Sequence, residues 1–207
     1  MGVFQFDLQT SAWSSRAASG LTDASTLMYS YRRAATDGDT RLIYIPSGAS
    51  GGSEMVVLNP DTLAARMVDM PPASLLDGVI QLYGWIWSDL RKSFLFTGGE
   101  YSMRNSDKTL EYFPASNTWA ALVISLSYYN IRCHPASYIS PLHVSGYNGR
   151  KIVVNGGQEF PEGQAQLRGL LYVLDVPTLT WTQGPSVDDR YVAADMACTV
   201  TGVNFVA

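Results

Sequence analysis

The chain has 207 residues, of which 46 % are hydrophobic, 12 % aromatic and only 15 % charged, with a net charge of −4. That length and a mean hydropathy near zero suit a packed array rather than a disordered chain. The acidic balance, with no basic stripe, argues against nucleic acid as a partner and against a polybasic membrane patch.

Eighteen glycines and ten prolines predict many turns and few long helices. The best apolar run, residues 120–125, falls far short of the ~20 residues a membrane-spanning helix needs, so no transmembrane segment is expected. The N-terminus reads as a strand and lacks the charged and apolar regions of a signal peptide. Cys133 and Cys198 form neither a metal pattern nor a disulfide framework. They read as buried thiols or as one long-range disulfide.

In chain order, the first element is V-F-Q-F-D-L-Q-T-S-A-W: a short apolar strand, a turn at Asp7, and Trp13 six residues on. The pattern recurs as V-V-L-N-P-D-T-L-A-A (turn at Asn59, ending at Ala65), L-E-Y-F-P-A-S-N-T-W (Phe113, Trp119) and L-Y-V-L-D-V-P-T-L-T-W (Asp175, Trp181). The intervals of 52, 54 and 62 residues define a repeat with insertions. Pro60 follows Asn59 and Pro114 follows Phe113, where a fixed φ suits a tight turn, so each copy predicts an antiparallel hairpin.

A second signal precedes each of the later hairpins. Apolar strands run into the glycine pairs Gly51–Gly52, Gly98–Gly99 and Gly156–Gly157, where positive φ or close backbone approach is allowed. Upstream of these lie further strand candidates at 25–31, 79–87, 141–145 and 196–200. Four short strands per repeat of roughly 50 residues is the arithmetic of a propeller blade. The expected single domain over 1–207 has a half-blade at 3–14, blades at 25–68, 79–122 and 136–183, and a half-blade at 196–207. The two halves are complementary and close a four-bladed ring, or the chain is an open arc of a larger propeller; the open, truncated arc is the favoured expectation.

Apolar strand, Gly-Gly, spacer, and aromatic-turn-x-x-x-Trp together resemble the kelch repeat over nearly the whole chain. The stretches G-L-L-Y-V-L-D-V-P-T-L-T-W-T-Q-G-P and A-C-T-V-T-G-V-N-F-V-A are similar to kelch-type proteins of filamentous fungi. The resemblance implies an all-β fold, a β-propeller of four-stranded antiparallel blades in the galactose oxidase/kelch-like superfamily. It leans towards a secreted or cell-surface location, although no address is written in these residues.

Strand alternation places the loops after second and fourth strands on one end of each blade. The long ones are 100–109 and 158–168, joined there by 69–78 and 184–191. Variable polar-aromatic loops on a rigid scaffold favour recognition. Tyr101, Arg104, Phe160, Arg168 and Arg190 are the candidate partner-binding residues; taken singly, each is better read as a solvated loop side chain. Gly51, Gly52, Gly98, Gly99, Gly156, Gly157, Trp13, Trp119 and Trp181 are assigned structural repeat roles, with the indoles packed between blades. Trp85 and Trp87 share one strand face and read as core, or as a sugar-stacking pair if their strand lines a channel.

No catalytic, cofactor or metal residue is assigned. His134 and His143 lack a third ligand at a recognisable spacing. S-G-A-S-G-G (47–52) lacks the following lysine of a phosphate loop. Asp188–Asp189 read as solvated. The expected function is non-catalytic recognition of a protein, or of a carbohydrate, through the longer-loop face. A galactose-oxidase-like copper oxidase is the enzyme alternative, but no motif maps onto its copper set. A structural remnant without activity is the third.

Overall fold

The computed structural model describes residues 2–20, 34–46, 54–72, 74–75, 83–97, 100–101, 104–105, 109–122, 125–126, 142–146, 150–155, 158–159, 166–167, 171–185, 199–201 and 204–206. Every regular element among them is a β-strand.

The chain begins with a hairpin of β1 (Gly2–Asp7) and β2 (Ala12–Ala17). The first sheet follows in the order β3 (Ala35–Thr36), β4 (Ile43–Ile45), β5 (Glu54–Leu58), β6 (Ala65–Asp69). The second sheet contains β7 (Gly84–Ser88) and β8 (Ser93–Thr97). A small ribbon of β9 (Glu100–Tyr101) and β10 (Arg104–Asn105) intervenes before its last strands, β11 (Thr109–Phe113) and β12 (Thr118–Ala121). Then come β13 (Ser125–Leu126), β14 (Leu142–Gly146) and β15 (Lys151–Asn155), a second ribbon of β16 (Gln158–Glu159) and β17 (Gln166–Leu167), and β18 (Leu171–Asp175) with β19 (Thr180–Gln183). A last hairpin pairs β20 (Thr199–Thr201) with β21 (Asn204–Val206).

The first and second sheets are four-stranded and antiparallel throughout. The third orders β14-β15-β18-β19 antiparallel and adds β13 as a fifth strand, parallel to β19. Four strands per unit were expected; the fifth comes from the segment leaving β12. Its chemistry repeats. Ser19, six residues after Trp13, bridges in parallel to Ala64, donating from its N–H to Leu63 O and accepting from Ala65 N–H. Ser125, six residues after Trp119, pairs in parallel with Thr180. The corresponding position after Ala65 is Pro71, which has no N–H to donate, and no such strap lies along β12 among the described residues.

Alternation along the strands sends side chains to both faces, and both faces are filled. Met55, Val57, Val68 and Tyr44 of the first sheet pack against Trp85, Trp87, Phe94, Phe96, Leu110 and Tyr112 of the second. The opposite face of the second sheet offers Ile86 and Leu95 to Ile152, Tyr172, Leu174, Val176 and Trp181. The far face of the first sheet, with Val56, Leu58 and Ala65, meets Val3 and Ala18 of the N-terminal segment. Hairpin and sheets are therefore stacked serially, and β3 lies beside β7, β7 beside β14, and β14 beside β20.

The turns share one design. A capping residue at position i is followed four residues later by a left-handed residue. The pairs are Asp7/Ser11, Asp37/Arg41, Asn59/Leu63, Ser88/Lys92, Phe113/Asn117 and Asp175/Leu179, with φ at the second members between 52° and 63°. Asp7 Oδ1 accepts from the N–H groups of Gln9 and Thr10, Asp37 Oδ1 from Asp39 and Thr40, and Asn59 Oδ1 from Asp61 and Thr62. Asp175 Oδ1 accepts from Thr178 N–H, and Ser88 Oγ accepts from Arg91 N–H. Phe113 has no such oxygen; its turn is held instead by Tyr112 Oη donating to Asn117 Oδ1 at 2.8 Å.

The strand candidate at 25–31 lies outside the described residues. The Asp37 turn folds Ala35–Thr36 back onto Ile43–Ile45 as the first described strand of that sheet. The glycine pairs also lie outside the described residues.

Candidate functional site

The predicted recognition loops are not plain loops. Between β8 and β11 the chain makes an antiparallel ribbon in which Tyr101 pairs with Arg104 and Glu100 with Asn105. Between β15 and β18 it makes another, pairing Gln158 with Leu167 and Glu159 with Gln166. Both ribbons join the second strand of a sheet to its third, so they occupy equivalent places in neighbouring sheets. Tyr101 and Arg104 are thus brought opposite one another. Phe160, Arg168 and Arg190 lie outside the described residues.

The connection at 69–78 does different work. Met70 and Leu75 pack on the core between the first two sheets, and Leu75 N–H bonds to Pro72 O. Trp119 Nε1 donates to Asp69 O at 3.1 Å, tying the second sheet to the last strand of the first. These side chains close the inter-sheet seam rather than reach towards a ligand.

The end of the stack bearing the short turns holds charged groups that sequence reading missed. Lys92 Nζ meets Asp39 Oδ1 at 2.7 Å, linking the first turns of two sheets. That pair, with Asp89 nearby, raises the Lys92 pKa, but both partners are exposed and the contact contributes little to stability. Trp87 Nε1 donates to Asp89 Oδ1 at 2.7 Å. A Cβ on Gly38 would stand 2.6 Å from that carboxylate oxygen and 2.7 Å from the indole nitrogen, so glycine is what lets this turn approach. Deeper in, Glu111 is 1 % exposed and receives Arg91 Nε at 2.6 Å, Arg91 Nη2 at 2.7 Å and the Ser93 hydroxyl. Donation to the Glu111 carboxylate leads the causes that raise the Arg91 pKa. The clue was available: Glu111 sits on the face of β11 that also carries Thr109 and points away from Leu110 and Tyr112, and only an ion pair makes a carboxylate tolerable there.

The three repeat-position tryptophans differ. Trp181 is buried among Ile86, Leu95 and Leu174. Trp119 is half-buried, with its ring centroid 4.9 Å from that of Tyr112 and 5.9 Å from that of Trp85. Trp13 was expected to pack between sheets as the others do; it is 71 % exposed, with the Phe6 ring 5.1 Å away between centroids. The reason is positional. In each pair of consecutive sheets this side chain points at the preceding one, and the N-terminal hairpin has no sheet before it among the described residues.

Trp85 and Trp87 share a face as expected, but it is core. Trp85 stacks on Phe94 at 4.6 Å and 7°, its Nε1 donates to Tyr44 O, and both indoles are buried. They are not available to stack on a sugar. The side chains of His134, His143, Cys133 and Cys198 lie outside the described residues, as do Asp188–Asp189. Among the described residues no group of three His, Cys, Asp or Glu is placed to hold a metal, and no helix is long and apolar enough to cross a membrane.

No protein-family model matches the chain, and no curated protein matches it either.

Proposed function

We propose that the chain is a kelch-like β-propeller array acting as a non-catalytic recognition scaffold, and that it engages a protein partner through the end of the stack bearing the β9–β10 and β16–β17 ribbons. The observation that carries this reading is the recurrence of a projecting ribbon at the same connection in two neighbouring sheets. A short ribbon at the same connection of neighbouring sheets is an arrangement suited to strand-addition capture of a polypeptide. The serial stacking of four-stranded sheets, and the adjacency of their first strands, support the propeller part of the reading.

The test uses photo-crosslinking side chains placed at Tyr101, on a ribbon, and at Thr40, on the short-turn end. Exposure to an extract of the native source should give discrete crosslinked partners from the Tyr101 probe and none from Thr40. Replacement of residues 100–105 by a tight turn should abolish that product while thermal unfolding stays cooperative. Crosslinks confined to Thr40, or a Tyr101 product that survives removal of the ribbon, would refute the assignment.

A further inference from the structure

The N-terminal hairpin presents Phe4, Phe6 and Trp13 on one face, at 73, 45 and 71 % exposure. The pairing Phe6↔Trp13 in this hairpin matches Tyr112↔Trp119 and Leu174↔Trp181 in the second and third sheets. In those sheets the same face is buried against the preceding sheet. The exposed aromatic face is therefore the next surface in a series of interfaces the molecule already makes, and that series states what should cover it: the far face of a sheet of this same kind.

Such a face is present at the other end of the chain. On the side of the third sheet turned away from the second, Val153 is buried at 5 % exposure, Val173 is half-buried and Thr182 is exposed. Val153 lies on an inner strand, beside the end where β20 runs next to β14. Val173 and Thr182, paired across β18 and β19, lie on the outer half. The hairpin β20–β21 is an isolated two-stranded ladder standing where the first and second strands of a following sheet would stand. The hairpin β1–β2 carries the turn of a third and fourth strand, with Asp7 and Ser11 in the capping and left-handed positions. Each two-stranded piece supplies what the other lacks, and among the described residues no ladder joins them.

We propose that this surface docks a second copy of the chain: Phe4, Phe6 and Trp13 of one copy seat on the Val173–Thr182 region of the other, and β1 pairs with the free edge of β21. The contact is heterologous, and made reciprocally it closes a two-chain assembly. It covers an aromatic patch and two strand edges that would otherwise favour uncontrolled association.

Sedimentation velocity of the full chain over a wide concentration range tests this. The wild type should sediment with the mass of two chains. Phe4→Ser/Trp13→Ser, which alters the aromatic face, and Thr182→Arg, which alters the seat, should each sediment as single chains with cooperative thermal unfolding retained; Phe4→Ser alone, at one exposed ring, provides a milder form of the first. Mixing the two variants should restore association, since the intact seat of one meets the intact face of the other. A single-chain wild type, a double variant that still pairs, or a mixture that stays monomeric would each overturn the proposal.

Discussion

Six non-glycine residues adopt left-handed backbone at the same place in six turns, and this sets the smallest scale on which the fold is specified. Asn117 suits that conformation, whereas Leu63 and Leu179 do not. Leu63 is buried, so its side chain offsets the strain by packing. Leu179 is half-exposed and lacks that compensation to the same degree. Leu179→Asn should therefore raise unfolding free energy by about 1 kcal/mol in a denaturant melt; a loss would show that its packing outweighs its backbone. A second residue-scale expectation concerns Tyr112. Burial first, then the neighbouring Tyr44, push its hydroxyl pKa up to about 12. The unfolded value is about 10. The folded value is the higher one, so the neutral phenol contributes fully below pH 10, and that contribution is lost as pH rises towards 12. Thermal stability should fall over this window, and Tyr112→Phe should flatten the fall; an unchanged profile in the variant would place the alkaline sensitivity elsewhere. The Asp7, Asn59 and Asp175 turns were legible because a side-chain oxygen stands next to an apolar strand. The Asp37 and Ser88 turns obey the same rule but were missed, since no tryptophan follows six residues later to draw the eye.

At the scale of strands and sheets, the hairpins were readable from alternation and turn residues, and their tryptophans marked the face that meets the preceding sheet. What sequence did not announce was which partner a buried charge meets across the strands of its own sheet. Pairing of Arg91 with Glu111 joins residues twenty positions apart through a fold-dependent contact. Arg91→Met should leave Glu111 buried without its cation and lower stability by about 3–5 kcal/mol, whereas Arg91→Met/Glu111→Leu should recover most of that loss. A double variant as unstable as the single one in urea melts would mean that the pair itself, rather than the stranded carboxylate, holds this part of the second sheet. The ribbons inside the long connections were illegible for a related reason: two-residue strands leave no period to detect. The parallel straps at Ser19 and Ser125 leave only a single serine at a fixed offset, and Pro71 at the third position shows why a backbone donor matters there.

For the molecule as a whole, the sequence period predicted several four-stranded antiparallel sheets, and the core explains why they need one another. The first and second sheets are apolar on both faces, so neither can be solvated alone, and stacking in chain order is the arrangement that buries both faces. The same logic accounts for the exposed Trp13, which keeps its repeat position with no sheet before it among the described residues. The end that bears the long connections could be located from loop length alone, but the ribbons within them could not, and single-residue candidates such as Arg168 and Arg190 could not be tied to that end by spacing.

The central claim is that each repeat-position indole is wedged against the sheet before it. Nuclear Overhauser contacts from selectively labelled tryptophans measure this directly. The account predicts cross-peaks from the Trp119 indole N–H to protons of Val68 and Asp69, and from the Trp181 ring to the methyl groups of Ile86 and Leu95. Cross-peaks from both rings that remain confined to their own sheets would contradict it.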